Sequence, residues 1–244
     1  MAKRPPFANS GVHLYSGPSW RKLAAMKINV DLSERVVIET ESLEWAPSPA
    51  PGVERRMLDR DGAEQGRATS IVRFQPGSDF AAHDHPGGEE FLVLGGVFSD
   101  ETGDYGPGSY LRNPVGSRHK PSSREGCTIF VKLCQMDPAD QTQVQIDTSA
   151  TPWQPVDGAD GIEIMPLHEF GDENVVLVRL APGAPAIDHD HPLGEELLVL
   201  DGSLTDEHGH YPKGTWIRNP PGSRHAPYTT TGCTLWAKLG HLPT

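Results

Sequence analysis

Residues 83–90 read His-Asp-His-Pro-Gly-Gly-Glu-Glu. In an extended strand, side chains two residues apart project from the same face, so His83 and His85 would lie side by side. A proline and two glycines then interrupt the strand, and a new strand beginning at Glu89 would return a carboxylate to that face. A fourth donor, His119, ends a proline- and glycine-containing loop that could carry its imidazole over the other three. The pattern therefore predicts a metal site.

The same four residue types occur a second time in the chain. His189, His191, Glu195 and His225 each lie 106 residues after their counterparts. This spacing also relates Arg73 to Arg179, Gly96 to Gly202, Asp100 to Asp206, Tyr105 to Tyr211, Arg112 to Arg218 and Cys127 to Cys233. A period of this length is too long for a solenoid repeat and is typical of a duplicated domain. We therefore expect two copies of one fold, each with a metal site.

Length and composition indicate what that fold is. The 244 residues include 26 Gly and 23 Pro, with 36% hydrophobic residues. This balance favours short strands joined by tight turns, so we predict an all-β protein without long helices. The division that we predict is an N-terminal arm (1–34), a first domain (35–136), a linker (137–147) and a second domain (148–244).

Several classes of partner and location are disfavoured by the sequence. A net charge of −12 argues against nucleic-acid binding, which depends on clustered Lys and Arg. No apolar run approaches the roughly 18 residues that would span a membrane, and no apolar signal segment opens the chain, so we expect a cytoplasmic protein. The three cysteines, Cys127, Cys134 and Cys233, do not suggest a disulfide framework and are predicted to be reduced thiols.

Alternation along the strand that follows each metal motif also predicts packing. If Glu89 points inward, Leu92 and Leu94 point outward, and Leu198 and Leu200 repeat this arrangement. A strand that is apolar on both faces is buried on both, so we expect the other half or a second subunit to cover these leucines. A homodimer is the predicted assembly. Glu90 and its repeat Glu196 also point outward, and we expect them to meet solvent or pair at an interface rather than support the metal ligands.

Two longer motifs carry a family resemblance. The spacing Gly-x5-His-x-His-x3-Glu-x6-Gly and the spacing Gly-x5-Pro-x-Gly-x2-His both occur once in each half, and they resemble the two motifs of the cupin superfamily. The residues that match are Gly77, His83, His85, Glu89, Gly96, Gly108, Pro114, Gly116 and His119, with Gly183, His189, His191, Glu195, Gly202, Gly214, Pro220, Gly222 and His225 in the second half. The usual closing Asn is replaced by Ser123 and Thr229. The resemblance implies a tandem double-stranded β-helix, or jelly-roll, bicupin.

Shorter sequence segments resemble two branches of that superfamily. Glu-Glu-x-Leu-Val-Leu, Arg-Asn-Pro and Gly-Ser-Arg-His, present in both halves, are similar to the cupin domain of ChrR-type anti-sigma factors and to cupin dioxygenases of the acetylacetone-cleaving kind. An anti-sigma factor of this type carries a zinc-binding helical domain ahead of its cupin. Here the leader offers only His13 and no cysteine, so the resemblance does not imply sigma-factor binding.

The predicted ligands limit the chemistry that the two sites could support. Three imidazoles and one carboxylate leave coordination positions open on a divalent ion, and Zn, Fe, Mn and Ni all accept these donors, so we expect one such ion per domain. The leading hypothesis is a metal-dependent oxygenase in which a small organic substrate and dioxygen meet at the first site. The alternative is a ChrR-like sensor or binding module without catalysis.

Other candidate catalytic residues are Arg112, Arg218, Tyr105 and Tyr211. The two arginines are equally expected to hold an anionic substrate or to pair with acidic residues such as Asp100 and Asp206. The two pockets are predicted to differ, because Ala81, Gly87, Phe91 and Tyr110 are replaced by Ile187, Leu193, Leu197 and Trp216.

Overall fold

The computed structural model describes residues 26–243, which form strands joined by short turns and one 3-10 helix, Thr40–Ser42. The strands up to residue 133 are β1 (Lys27–Ile28), β2 (Val36–Glu39), β3 (Ala46–Pro47), β4 (Val53–Asp61), β5 (Arg67–Phe74), β6 (Ser78–Asp79), β7 (His83–Asp84), β8 (Glu89–Gly96), β9 (Phe98–Asp100), β10 (Gly103–Tyr105), β11 (Ser109–Asn113), β12 (Arg118–His119), β13 (Ser122–Ser123) and β14 (Cys127–Leu133). The remaining strands are β15 (Val144–Asp147), β16 (Gln154–Pro155), β17 (Ile162–Phe170), β18 (Glu173–Leu180), β19 (His189–His191), β20 (Glu195–Asp206), β21 (Gly209–Pro212), β22 (Thr215–Asn219), β23 (Ser223–His225) and β24 (Cys233–Leu239).

Each half contains one large antiparallel sheet with smaller strand pairs folded over it. The first large sheet runs β1-β4-β5-β14-β8-β11-β15, and the second runs β16-β17-β18-β24-β20-β22-β2. The short pairs β7 with β12 and β19 with β23 lie at the predicted metal motifs. The prediction of an all-β tandem jelly roll is therefore confirmed. Among residues 26–243, no helix is long and apolar enough to cross a membrane.

The two halves exchange strands. The predicted domain boundaries do not account for this exchange. β2 was assigned to the first domain, yet it pairs with β22 of the second half. β15 was assigned to the linker 137–147, yet it pairs with β11 of the first half. Both strands alternate half-buried and exposed residues, because each adds to the edge of a sheet and turns one face toward the other half.

Part of the predicted N-terminal arm, residues 1–34, belongs to the folded domain. β1 pairs with β4 at the edge of the first sheet, so the folded domain begins before residue 35. Residues 1–25 of the predicted arm lie outside the described part of the chain.

The outward faces of the two large sheets pack against each other. Leu92 and Leu198 are buried in one shared cluster, and Leu94 and Leu200 pack against its rim. The prediction that these leucines are covered is confirmed, and the other half is what covers them. Burial of each leucine contributes about 2 kcal/mol. The homodimer stays a prediction.

Buried ion pairs cross the same interface. Lys132 Nζ lies 2.6 Å from Glu196 Oε2, and Lys238 Nζ lies 2.5 Å from Glu90 Oε1. The prediction of interface pairing for Glu90 and Glu196 is therefore confirmed. Because a carboxylate and an ammonium are costly to bury unless they are paired, these contacts select one relative position of the halves.

Inside each half, a second apolar cluster fills the space between the large sheet and the smaller strands. In each half, the last glycine of the first cupin motif lies at the wall of this space. Gly96 and Gly202 have φ values of +71° and +70°, and a Cβ at either position would collide with the carbonyl oxygen of Gly126 or Gly232. Only glycine accepts that backbone conformation and that close approach. The metal motifs lie at the open end of each barrel.

Candidate metal centres

The first cluster brings together the four residues that the sequence predicts. His83 and His119 are directly opposite each other in the β7–β12 pair, and Glu89 begins β8 beside them. Ligand atoms of His83, His85, Glu89 and His119 all lie within 4.8 Å of one another. Glu89 Oε2 is 3.5 Å from His85 Nε2 and 3.3 Å from His119 Nε2. One metal ion could therefore be coordinated by all four residues.

The imidazoles of this cluster are held from behind through Nδ1. The partners are Ala81 O for His83 at 3.1 Å, Ser117 Oγ for His85 at 2.9 Å and Asp100 Oδ2 for His119 at 3.3 Å. The Nε2 atoms of His85 and His119 are buried and have no hydrogen-bond partner. Buried polar atoms are rarely left unpaired. These two atoms, facing a carboxylate, fit a divalent cation.

The second cluster repeats this arrangement. His189, His191, Glu195 and His225 also place their ligand atoms within 4.8 Å of one another. His191 Nε2 and His225 Nε2 are 3.0 Å apart, and Glu195 Oε2 lies 3.4 Å from the first and 3.6 Å from the second. His189 Nδ1 is held by Ile187 O at 2.8 Å. Two ring nitrogens that face each other at this distance also suit a shared cation.

Sequence reasoning missed the residues that orient the ligands. Asp100 and Asp206 contact Nδ1 of His119 and His225, whereas the sequence suggested them only as possible partners of the arginines. An amide group, from Asn113 in the first half and from Asn219 in the second, donates to the glutamate ligand at 3.1 and 2.8 Å. All four positions repeat at the 106-residue spacing, so the repeat was the available signal. Such supporting contacts fix ring orientation and ligand basicity.

The electrostatics differ between the two clusters. Burial, together with His189 and His225, lowers the pKa of His191 to about 3. Burial raises the pKa of Glu195 to about 7, with Asp206 adding to the effect and the Asn219 hydrogen bond opposing it. In the first cluster burial lowers the pKa of His85. Without an ion, the His191 imidazole is therefore neutral and the neighbouring Glu195 carboxyl group is easily protonated.

His119 behaves in the opposite way from the other buried imidazoles. Burial disfavours its charged form, but the Asp100 hydrogen bond and the charge of Glu89 outweigh burial and raise the pKa. His119 therefore binds a proton more readily than its counterpart His225, whose pKa is lowered mainly by burial.

Arg35 adds a further difference, because it serves the second cluster alone. Its guanidinium donates to Asn219 Oδ1 at 2.9 Å and to the Tyr211 hydroxyl at 2.8 Å, and it lies 3.3 Å from Asp206 Oδ2. Arg35 precedes the exchanged strand β2, so the first half reaches across to support the second cluster. No sequence signal pointed to this arginine.

Each cluster lies in the wall of a cavity. The first cavity, about 390 Å³, is lined by aromatic residues that include Phe74, Phe80 and Phe98, and by the charged pair Arg55 and Glu64. The second, about 510 Å³, is lined mainly by aliphatic side chains, among them Ile187, Leu193 and Leu197. The predicted difference between the pockets is present at these positions. Tyr110 and Trp216 contribute nothing to it, because they lie in the cluster between the halves.

The other predicted catalytic residues lie away from both cavities. Arg112 is buried at the interface between the halves and contacts Glu90, Asp140 and Glu173. Arg218 is buried there as well, 2.6 Å from Asp59 Oδ2. Both arginines therefore pair with acidic residues, which is the second of the two expectations, but their partners are not Asp100 and Asp206. Both arginines lie opposite Glu90 or Glu196 in the sheet, on the face turned away from the metal motif.

The two tyrosines also lie outside the cavity walls. Tyr105 is half-buried, and its hydroxyl lies 2.6 Å from Thr102 Oγ1. Tyr211 donates to Asp206 Oδ1 at 2.6 Å, so it supports the aspartate behind His225. Neither tyrosine is in the lining of the cavity beside its cluster, and the contact with Asp206 gives Tyr211 a role in positioning.

A family model describes both halves of this chain. The model for the ChrR cupin-like domain matches residues 33–137 and again 141–243. The chain belongs to the ChrR cupin-like domain family. The two matches follow the two halves of the repeat, apart from the exchanged strands β2 and β15, and they confirm the family resemblance seen in the motifs. The bicupin had no match among the curated proteins compared with it.

Solved structures similar to this bicupin share its fold at low sequence identity. A candidate dioxygenase from Nostoc punctiforme has a TM-score of 0.71 at 18% identity, covering 85% of this chain and 82% of its own. The protein YlbA from E. coli has a TM-score of 0.68 at 17% identity, covering 92% and 98%. A variant of oxalate decarboxylase from B. subtilis has a TM-score of 0.59 at 12% identity, covering 96% and 85%. At these identities the likeness supports the tandem cupin fold.

Proposed function

We propose that this bicupin is a metal-dependent oxygenase that acts on a small organic molecule at the His83, His85, Glu89 and His119 site. The observation that carries the proposal is the pair of buried, unpartnered Nε2 atoms of His85 and His119, which face Glu89. His85 and Glu89 line the first cavity. Four protein donors leave room for an exogenous ligand on an ion that prefers five or six.

The chain's own residues have definable tasks in this proposal. His83, His85, Glu89 and His119 would hold the ion, and Asp100, Ser117 and Asn113 would keep three of these donors oriented. The phenylalanines that line the cavity would exclude water and pack against an apolar part of the substrate. When bound, the metal would act as a Lewis acid and as a template for substrate and dioxygen.

The first site is preferred over the second for two reasons. Its cavity carries both an aromatic wall and a charged pair, so it can orient an asymmetric molecule. Beyond its ligands, the second cavity is lined by aliphatic residues and by Asp172 and Asp190, with no Lys or Arg among the described residues of its lining, and Arg35 ties its support network to the exchanged strand. We infer that the second site has a mainly structural role.

The test begins with elemental analysis of protein purified without added metal, followed by anaerobic loading with Fe(II). Oxygen uptake is then measured with a panel of β-diketones and phenolic ketones. We expect turnover by the wild type and by His225→Ala, and none by His119→Ala. His210→Ala is a matched control, because this exposed histidine lies outside both clusters. No uptake with any metal and substrate of the panel would count against an oxygenase.

Family membership favours a second function, metal-dependent binding or sensing without catalysis. In that case the ion would be held at both sites, and its occupancy would change binding of a partner rather than consumption of oxygen. Zinc in both halves of the purified protein, together with a partner retained only in the metal-loaded state, would support this function over the first.

A further inference from the structure

We propose that the first cavity contains a subsite for an anionic group of the substrate, formed by Arg55. The proposal deepens the oxygenase function and rests on it, because the other end of the same molecule would contact the metal site. It names the substrate class as a small organic molecule with a carboxylate or a similar anion remote from its metal-binding group.

Arg55 is a buried guanidinium in the cavity wall. Its side chain is 8% exposed, and Nη1 and Nη2 donate to the two carboxylate oxygens of Glu64 at 2.8 and 2.7 Å. The third donor atom, Nε, is buried and has no hydrogen-bond partner. An arginine fork of this kind matches a carboxylate in shape and charge.

Positive charge exceeds negative charge behind this wall. Arg60 is buried on the same strand and donates to Ala63 O at 2.7 Å, and it has no carboxylate within 4.0 Å among residues 26–243. Burial and the neighbouring charge of Arg55 both lower the pKa of Arg60, so the two guanidiniums interact. Glu64 is the one acidic partner that they share. An additional anion would relieve this imbalance.

The Glu64 carboxylate is suited to be displaced from Arg55 by such an anion. It lies in the connection between β4 and β5, and its side chain is 30% exposed. Moving this carboxylate into water costs far less than exposing the buried guanidinium. Glu64 therefore stands where a substrate carboxylate would bind, and its negative charge weakens binding of a second anion.

The second half lacks every part of this subsite. In the sheet register Arg55 is opposite Val72, and the corresponding residue opposite Val178 is Ile164. The connection that carries Glu64 has five residues between strands, whereas the corresponding β17–β18 connection has two. Anion selection is therefore a property of the first cavity alone.

The test uses succinylacetone, a β-diketone with a terminal carboxylate, and its neutral methyl ester. Binding is measured anaerobically by calorimetry and by the visible absorption of Co(II)-loaded protein. All proteins carry His191→Ala and His225→Ala, so that metal is bound in the first half alone. Since no turnover is required, the result is independent of whether the protein consumes oxygen.

We expect the acid to bind about tenfold more tightly than the ester, as one charge-assisted hydrogen-bonded pair contributes. Arg55→Met should abolish the preference by weakening binding of the acid, and Arg55→Lys should retain part of the preference. Glu64→Gln should strengthen acid binding several-fold, a gain that a misfolded variant would not show. Glu54→Gln is the matched control, because Glu54 pairs with Arg73 outside the cavity. Equal binding of acid and ester by the starting protein, or a preference that survives Arg55→Met, would overturn the proposal.

Discussion

The Lys132 ammonium of the first half lies 2.6 Å from the Glu196 carboxylate of the second, and their side chains are only 1% and 3% exposed. Lys238 and Glu90 repeat this contact in the opposite direction. The duplicated domains are therefore joined by reciprocal buried ion pairs, in addition to apolar packing and exchanged strands.

Removing one partner of such a pair should be costly. We expect Lys132→Met to lower the free energy of unfolding by about 3 kcal/mol, because Glu196 then remains buried with a weaker set of partners. Urea unfolding followed by tryptophan fluorescence measures the change. Lys120→Met is the control, since its ion pair with Asp79 is exposed and should contribute well under about 1 kcal/mol. Equal effects of the two variants would contradict the assigned importance of the interface pair.

Acid should weaken the interface between the halves. Burial alone would raise the pKa of Glu90, but Lys238 and Arg112 outweigh it and lower the pKa to about 2. Arg112, His168 and a Thr142 backbone hydrogen bond similarly outweigh burial at Asp140 and lower its pKa to about 2. A carboxyl group with a depressed pKa stabilises the fold above its unfolded pKa, and this stability is lost as pH falls toward the folded pKa.

Stability should therefore decline between about pH 4.5 and pH 2. Thermal unfolding measured across this range tests the expectation. Glu90→Gln should flatten the decline, because that residue no longer takes up a proton. An unfolding temperature that stays constant across the window would show that these carboxyl groups do not control stability.

The aspartates behind the histidine ligands should affect metal affinity. We expect Asp100→Asn to weaken binding in the first half, and Asp206→Asn in the second, by about 10- to 100-fold each. Competition with a chromogenic chelator, in variants with one intact site, measures each constant. Arg35→Met should weaken the second site alone, whereas Lys213→Met, which removes an exposed ion pair with Asp201, should change neither. Loss at the first site after Arg35→Met would contradict the asymmetric support.

Metal affinity at the second site should depend on pH near neutrality. The Glu195 pKa of about 7 means that the carboxyl group binds a proton below that pH when no ion is present. Metal must displace this proton, so affinity should fall about tenfold per pH unit below neutrality. Zn(II) titration of a His85→Ala/His119→Ala variant between about pH 8 and pH 6 measures the slope. A constant affinity over that range would count against the raised pKa.

Much of the candidate site was predictable from the sequence because ligand spacing is a local property. His83 and His85 share a face through strand alternation alone, and exact repetition of all four ligands made a chance pattern unreasonable. The same alternation predicted that Leu92 would be covered. Asp100 and Asn113 were visible as repeated positions, but their hydrogen-bond partners were not.

Other features depended on contacts between distant parts of the chain. From the sequence alone, Arg112 could equally be a substrate-binding or a structural residue. Its partners Asp140 and Glu173 lie in distant segments, and no local sequence pattern shows that these segments pack against Arg112. The pairing of Arg55 with Glu64 is close in sequence, yet its position beside the metal cluster depends on how the barrel closes.

The repeat and its motifs by themselves determined a tandem β fold with two sets of three histidines and one glutamate, because alternation and turn residues act over a few positions. The tertiary structure alone decided that β2 and β15 change halves, that Arg35 supports the second cluster, and that the two cavities differ in charge. Those features arise when sheet edges and buried charges find partners beyond the reach of any local pattern, where the packing of the whole chain makes the choice.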